Sequence, residues 1–447
     1  MSMEVLIEGG TILTPRGPVR NGAVAIEGNK IVGVGRAEDV KRSFSHLDKL
    51  DSKGCLVIPG LVNSHTHCAM TLMRGYAEGV SLMDWLNSIW KVEAKLTPQD
   101  IELGAELGAY EALLSGTTTL NSQYFYSDEA SEAHAFAKTG IRAVVGHGFF
   151  ERTRDAGLKL TERMARRWHG AEGGRIRVSV SPHAPYSTGP NTYVEAVQLA
   201  RKLNEELGSR GRVIVHTHVA EAPDEARRVE ENFKVDASRG IVKYLDSLGV
   251  LSDLMVAAHV IHLSDDEVEI LKARGVAVAL NPVSNLKLAM GIAPYAKFKA
   301  AGLRVGLGTD GPASNNSLDM FESAKVLSLI EKQTMSDPSA VGSREAFYLA
   351  TTGGARAIGW GEEIGALEKG YRADVVILDA KGMHSVPIYD EYDHLVYSAR
   401  SGDVRDVFVD GRQLVERGRI IGLEYEGFHK RVENTRDSLL SRIKRRV

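Results

Sequence analysis

An α/β chain folded as a (β/α)8 TIM barrel, with a small β-sandwich domain formed from both chain ends, is the architecture that this sequence predicts. Three observations carry that expectation. Across residues 59–362 apolar runs of strand length alternate with longer stretches of helical period, the pattern of successive βα units. The runs number eight: residues 58–63, 117–120, 142–146, 175–181, 212–218, 255–259, 276–281 and 304–308. The residues with most chemistry in them fall at the C-terminal ends of these runs, the face on which such barrels carry their sites. The roughly 300 residues of the repeat fit the ~250 of a barrel with modest insertions. A doubly wound sheet is the competing arrangement.

The flanks read differently. Residues 1–58 hold short strands, at 5–8, 23–27 and 30–34, separated by Gly and Asn turns. β character returns in residues 363–425, at 373–378 and 404–409, with Asp410-Gly411 as a hairpin turn. The two β regions are of similar length, so they are expected to meet as one sandwich. Residues 426–447 form a charged C-terminal helix, and no internal repeat or low-complexity linker is visible.

Composition narrows the class. With 447 residues, 43% hydrophobic and 25% charged, the chain has an ordinary globular balance and room for one large domain and a smaller one. A formal charge of −3 supplies no basic field for a polyanion. The single basic cluster, residues 442–446, reads as a solvated helix end, so no nucleic-acid partner is expected. Cys55 and Cys68 are too few for a disulfide framework. The opening Met1-Ser2-Met3-Glu4 lacks the features of a signal peptide, and no stretch reaches the ~20 apolar residues of a membrane span. A cytoplasmic protein without membrane association is expected, and a homo-oligomer is left open.

The candidate chemistry lies in His65, His67, His183, His216, His218, His259 and Asp310, each at or just past a strand end. Residues two apart on a strand face the same side, so His65 and His67 can aim at one point with Thr66 turned away. An imidazole from strand 5 and the Asp310 carboxylate from strand 8 would converge from across the mouth. Such a mixed His and Asp set suits Zn²⁺, with Fe²⁺ or Mn²⁺ as alternatives, and leaves a position for water.

The segments Pro59-Gly60-Leu61-Val62-Asn63-Ser64-His65-Thr66-His67, His216-Thr217-His218-Val219-Ala220-Glu221, Ala258-His259, Asn281-Pro282-Val283-Ser284-Asn285-Leu286-Lys287-Leu288 and 308–316, which opens Gly308-Thr309-Asp310-Gly311, resemble the amidohydrolase superfamily. Within it they are similar to the methylthioadenosine and S-adenosylhomocysteine deaminases, whose neighbours include aminotriazine hydrolases and guanine deaminase. The likeness runs over nearly the whole chain, residues 365–379 included. It implies that His65, His67, His218 and Asp310 bind one divalent metal, and that metal-bound hydroxide replaces the 6-amino group of an adenosine, giving the inosine analogue and ammonia. Glu221 and His259 are then the groups that work on the water and substrate: Glu221 shuttles a proton to the ring nitrogen, and His259 stabilises the developing charge. Asp310 takes the second proton of the water. Two-metal relatives carry a lysine at the end of strand 4; this chain ends that strand in His183, which implies a single metal and a substrate contact for His183. Trp85 and Glu93 fall in a segment resembling the family's substrate loop, where the glutamate meets ribose hydroxyls. A carboxylate suits a vicinal diol, since each oxygen accepts one hydroxyl.

The chain departs from that pattern in places. His147 stands where some relatives carry an arginine suited to the amino-acid carboxylate of S-adenosylhomocysteine, and Asn121-Ser122-Gln123-Tyr124 lacks an expected aspartate. Glu221-Ala222 replaces the usual Glu-Thr. These changes shift weight towards adenosines with a neutral 5′ group. The alternatives are the same chemistry on an aminotriazine, guanine or pterin and, remotely, a non-catalytic scaffold. His216 is expected to be structural or to support a ligand; for Glu221 the bland reading is a helix-start carboxylate; His147 and His262 have no settled role.

Overall fold

The computed structural model describes residues 4–124 and 131–444. Residues 1–3 and the basic pair Arg445 and Arg446 lie outside the described residues, and with them part of the signal-peptide and basic-cluster readings.

Eight parallel strands line up in chain order: β1 (Leu61–Thr66), β2 (Thr117–Tyr124), β3 (Arg142–Phe149), β4 (Ile176–Pro182), β5 (Val215–Val219), β6 (Met255–His259), β7 (Ala277–Leu280) and β8 (Arg304–Leu307). Their residues are buried on both faces apart from Arg304, as parallel strands between two layers require. Alternate residues sort into separate cores. Leu61, Val145, Val215, Ala257 and Val278 pack outward with the helices, whereas their neighbours Val62, Val144, Ile214, Val256 and Ala277 form an inner cluster with Trp360. The helices between strands begin on local signals. Pro98–Leu114, for instance, opens with Pro98 in its first turn and a reciprocal cap in which Thr97 Oγ1 accepts the Asp100 N–H and Asp100 Oδ2 accepts the Thr97 N–H.

The strands of β8 and β1 meet without a ladder. Instead the N–H groups of Thr309 and Asp310 donate to the His65 carbonyl at 3.2 and 3.0 Å, and Asn63 Nδ2 donates to Thr309 Oγ1 at 2.7 Å. The gap is narrow enough that a Cβ on Gly308 would lie 2.8 Å from the His65 carbonyl oxygen.

Both chain ends supply the remaining two sheets. Four strands (Lys30–Arg36, Gly22–Glu27, Glu4–Glu8, Asp48–Asp51) form one. The other has seven, in the order Arg419–Ile420, Arg412–Glu416, Val404–Val409, Val375–Asp379, Cys55–Pro59, Thr11–Thr14 and Gly17–Val19. The ends join where Val375–Asp379 runs antiparallel to Cys55–Pro59, with Val376 opposite Ile58. Asp410 and Gly411 sit at φ 53° and 72°, the doubly left-handed geometry of the tight hairpin turn that their sequence predicts. The first apolar run is the main displacement from expectation: residues 55–59 belong to the small sheet, and the barrel strand begins only after Gly60, whose Cβ would strike Thr118 Oγ1 at 2.0 Å.

The floor of the barrel is ionic and aromatic. The Arg177 and Arg142 guanidinium groups lie 3.4 and 4.8 Å from the Trp360 ring centroid. Arg142, fully buried, donates from Nε and Nη2 to both Asp374 oxygens at 2.8 Å and from Nη2 to Asp410 Oδ1 at 3.0 Å. Because both acidic residues belong to the C-terminal β region, this pair ties the sandwich to the barrel. Removing one member of a buried ion pair strands the other without water. Arg142→Met is therefore expected to lower unfolding free energy by about 3–5 kcal/mol, read by denaturant titration; a loss under about 1 kcal/mol would show the network to be dispensable.

Candidate metal centre and active site

Five side chains converge at the C-terminal mouth. β1 carries His65 one residue before its end and leads into His67, β5 carries His218, β6 ends in His259, and the loop after β8 presents Asp310. All five are buried. Ligand atoms of His65, His67 and Asp310 lie within 4.8 Å of one another, and so do those of His65, His218 and His259. Asp310 Oδ1 is 3.4 Å from His65 Nε2 and 3.3 Å from His67 Nε2, and the Nε2 atoms of His67 and His218 are 3.2 Å apart. His259 and Asp310 adopt φ of 72° and 61°, and Ala220 and Val260 beside them 52° and 50°. Left-handed backbone is rare for residues with a Cβ, and for the β-branched Val260 it is a true outlier. Such strain gathers where side chains are aimed for function.

The outer nitrogens of the rings explain their aim. His67 Nδ1–H donates to the Gln123 carbonyl and His218 Nδ1–H to the His183 carbonyl, both at 2.7 Å. A carbonyl can only accept, so each proton is fixed on Nδ1 and each Nε2 is left with a bare lone pair. Two lone pairs facing each other at 3.2 Å, with a carboxylate oxygen beside them, repel unless a cation lies between. The His65 and His259 Nε2 atoms face carboxylate oxygens at longer range, Asp310 Oδ1 at 3.4 Å and Glu221 Oε1 at 3.5 Å. The donor set fits a divalent metal. His65 Nδ1 meets His216 Nε2 at 2.8 Å, and His259 Nδ1 meets Asn285 Oδ1 at 2.8 Å, so every ring has a support behind it. Asp310 Oδ2 accepts the hydroxyls of Ser284 and Ser314 at 2.6 and 2.8 Å, and Oδ1 accepts the Gly311 N–H at 2.8 Å.

Electrostatics agree with that geometry. Burial pushes His65 and His183 down to about 3, and His216 and His218 well below their usual range, so these rings are neutral and no proton competes with a metal for the candidate ligands His65 and His218. Burial works to raise the Asp310 carboxyl, but the His65 hydrogen bond and the facing imidazoles hold it well below the carboxylate range.

Glu221 follows β5 by two residues, and its Oε1 lies 3.5 Å from His259 Nε2. Burial first, and the Asp310 charge second, raise its carboxyl to about 8. The helix-start carboxylate in this loop is Glu225, not Glu221. Glu93 closes the helix Leu82–Glu93; it is 1% exposed, burial raises it to about 8 against the Tyr124 hydroxyl, and neither of its oxygens meets the distance and angle of a hydrogen bond to any described residue. The same helix brings Trp90 edge-on to His183 at 6.5 Å, and Phe150 lies 4.9 Å from the His183 ring. The Trp85 Nε1–H donates to the Ala313 carbonyl at 3.3 Å, which holds the helix against the loop after β8. His147 lies two residues before the end of β3 and is buried, which lowers it to about 4. His262 meets the Met290 carbonyl at 2.8 Å through Nε2 and so tethers two loops.

Sequence reasoning left Gln123, Ser284, Asn285, Ser314 and Glu225 without roles, although the segment around Ser284 and Asn285 stood out by resemblance. These are common polar residues, and only the three-dimensional neighbour gives each its partner.

Comparison with known proteins fits this centre. The sequence pattern of the amidohydrolase family matches residues 56–414. The chain is 40% identical over 428 residues to a protein of Pelotomaculum thermopropionicum named 5-methylthioadenosine/S-adenosylhomocysteine deaminase, covering 94% of this chain and 95% of that one. It is 38% identical over 448 residues to a 5'-deoxyadenosine deaminase of Methanosarcina mazei, covering 98% and 99%. A solved adenosine deaminase from Xanthomonas campestris, with bound zinc, superposes with a TM-score of 0.91 at 30% identity over 98% of this chain and 99% of that one. With its barrel, its converging imidazoles and these full-length relatives, the chain belongs to the amidohydrolase family.

Proposed function

We propose that the protein is a hydrolytic deaminase that replaces the 6-amino group of an adenosine bearing a modified 5′ position, giving the inosine analogue and ammonia. One divalent metal, zinc first and iron or manganese next, is held by His65, His67, His218 and Asp310. Bound there, the ion supplies Lewis acidity and brings a water from a pKa of roughly 15.7 to about 7. The observation that carries the reading is the pairing of this donor set with Glu221, a buried carboxyl raised to about 8 beside His259. A carboxyl poised near neutrality both holds a proton for the ring nitrogen and takes one back, which a general acid and base must do. His259, kept in place by Asn285, directs its Nε2 towards the same space and stabilises charge on the attacked carbon's oxygen. Asp310 accepts a further proton as ammonia leaves.

Glu93 supports a riboside over a free base. Its buried oxygens, beside the Tyr124 hydroxyl, have acceptor capacity left for a vicinal diol, which presents two hydroxyls. Trp90, Phe150 and His183 form an aromatic wall that His183 can use to grip the purine. With His147 in place of an arginine, a neutral 5′ group such as methylthio or hydrogen is favoured over a carboxylate. Trp85, on the same helix as Glu93 and held by the Ala313 carbonyl, is a further substrate contact through its ring.

The test is ammonia release by metal-replete protein from methylthioadenosine, S-adenosylhomocysteine, adenosine, 5′-deoxyadenosine, guanine and an aminotriazine. Turnover of the 5′-modified adenosines is expected, and turnover of only the other rings would overturn the substrate class. Glu93→Ala is expected to raise KM for a riboside at least ~10-fold more than for the free base, because only the riboside loses hydrogen bonds; equal effects would remove the diol contact. Asp310→Ala and His67→Ala are expected to purify without bound metal, measured by elemental analysis, and full occupancy in either would refute the ligand set. Glu221→Gln is expected to keep its metal while kcat falls by ~10²-fold or more. Turnover near that of the parent would dismiss the proton transfer.

A further inference from the structure

Behind Glu221 lies a second buried carboxylate that the proposed reaction leaves unused. Glu225 opens the helix Glu225–Phe233 and is 1% exposed. A carboxylate in the first turn of a helix ordinarily faces solvent beside the free N–H groups. Here Oε2 instead reaches back over the loop and accepts the Glu221 backbone N–H at 2.7 Å. The N–H groups of Ala222 and Ala220 lie close enough to favour its charged form, and the Glu225 N–H returns to the Ala222 carbonyl at 3.2 Å. On the opposite side the Ala220 carbonyl accepts the N–H groups of Ile261 and His262 at 2.9 and 3.0 Å. The loop is thus gripped from both sides, and between the grips Ala220 holds φ at 52°, a conformation that an alanine does not choose by itself.

We infer that Glu225 is a positioning residue for Glu221: its carboxylate gathers the backbone N–H groups of the loop after β5 and so fixes the direction in which the Glu221 side chain leaves the backbone. The inference rests on the proton-transfer reading of Glu221. The chemistry is that of an acceptor, since what the loop needs is an oxygen facing its N–H groups. Glutamine offers that oxygen; alanine does not; aspartate offers it one methylene short.

The experiment measures kcat, KM and bound metal with 5′-deoxyadenosine for Glu225→Gln, Glu225→Ala and Glu225→Asp, and for Glu225→Ala combined with Glu221→Gln. Glu225→Gln is expected to keep kcat within about 3-fold, while Glu225→Ala lowers it by roughly 10- to 100-fold with KM within about 3-fold and metal content unchanged. Residues acting through one another are not additive, so in the Glu221→Gln background the alanine is expected to cost less than about 2-fold more. Parent-like turnover in Glu225→Ala, full additivity, or a Glu225→Gln as slow as Glu225→Ala would each overturn the proposal. Should the alanine protein fail to fold, Glu225→Asp decides: slow turnover with bound metal is expected, and normal turnover overturns the role. If Glu221→Gln alone turns over normally, it is the proton-transfer reading that fails; the grip itself is then read by hydrogen exchange at the Glu221 amide, expected to be protected in the parent and exposed in Glu225→Ala, and equal exchange in the two overturns it.

Discussion

Closure of the barrel and assembly of the site meet in one hydrogen bond, from the Asp310 N–H to the His65 carbonyl. The strands β8 and β1 have no ladder between them, so this bond, with those of Asn63, Thr66 and Thr309 around it, is the seam. It joins two residues whose side chains also face each other across the metal centre. A seam made by ordinary strand pairing would leave the Asp310 backbone extended; the left-handed turn at φ 61° is what swings the carboxylate inward while its N–H still points back. Gly308 makes the approach sterically feasible. Fold and site are therefore specified by the same few atoms.

The remaining architecture prepares imidazoles for this point. A histidine whose outer nitrogen donates to a carbonyl has only one tautomer, and the carbonyls of Gln123 and His183 enforce that choice for His67 and His218. Burial then keeps the rings neutral. The arrangement stores electrostatic repulsion among lone pairs, relieved when a cation binds, so folding and metal affinity are thermodynamically linked. Ser284, Ser314 and Gly311 perform the equivalent service for Asp310, occupying the faces of the carboxylate that do not look into the site.

Much of this was legible in the chain. The eight barrel strands were placed within a few residues because strands buried on both faces are near-continuous apolar runs, and histidines at their ends break that pattern conspicuously. The first strand was misplaced by three residues at its start because residues 55–62 form one apolar run, and only the close approach of Gly60 to Thr118 shows where the chain leaves one sheet for another. The site histidines and Asp310 stood out by type and position. Asn285, Ser284 and Glu225 did not, because a serine or glutamate is common everywhere and gains meaning from the imidazole, carboxylate or amide that a distant strand brings to it. Trp85 shows the same dependence, since its place on the helix Leu82–Glu93 and the Ala313 carbonyl that receives its indole N–H appear only in three dimensions.

The floor of the barrel bears on the order in which the molecule can be made. Arg142 finds its acids in Asp374 and Asp410, and residues 55–59 find their partner strand in residues 375–379. During synthesis from the N-terminus, the strand at residues 55–59 waits more than three hundred residues for this partner, and the buried arginine waits 232 and 268 residues for its two acids. Contacts so distant in sequence carry the cost of closing a long loop and slow the final step of folding. A ribosome-bound chain stopped between residues 310 and 374 would hold every imidazole of the candidate metal centre and still lack both acids on which the barrel stands.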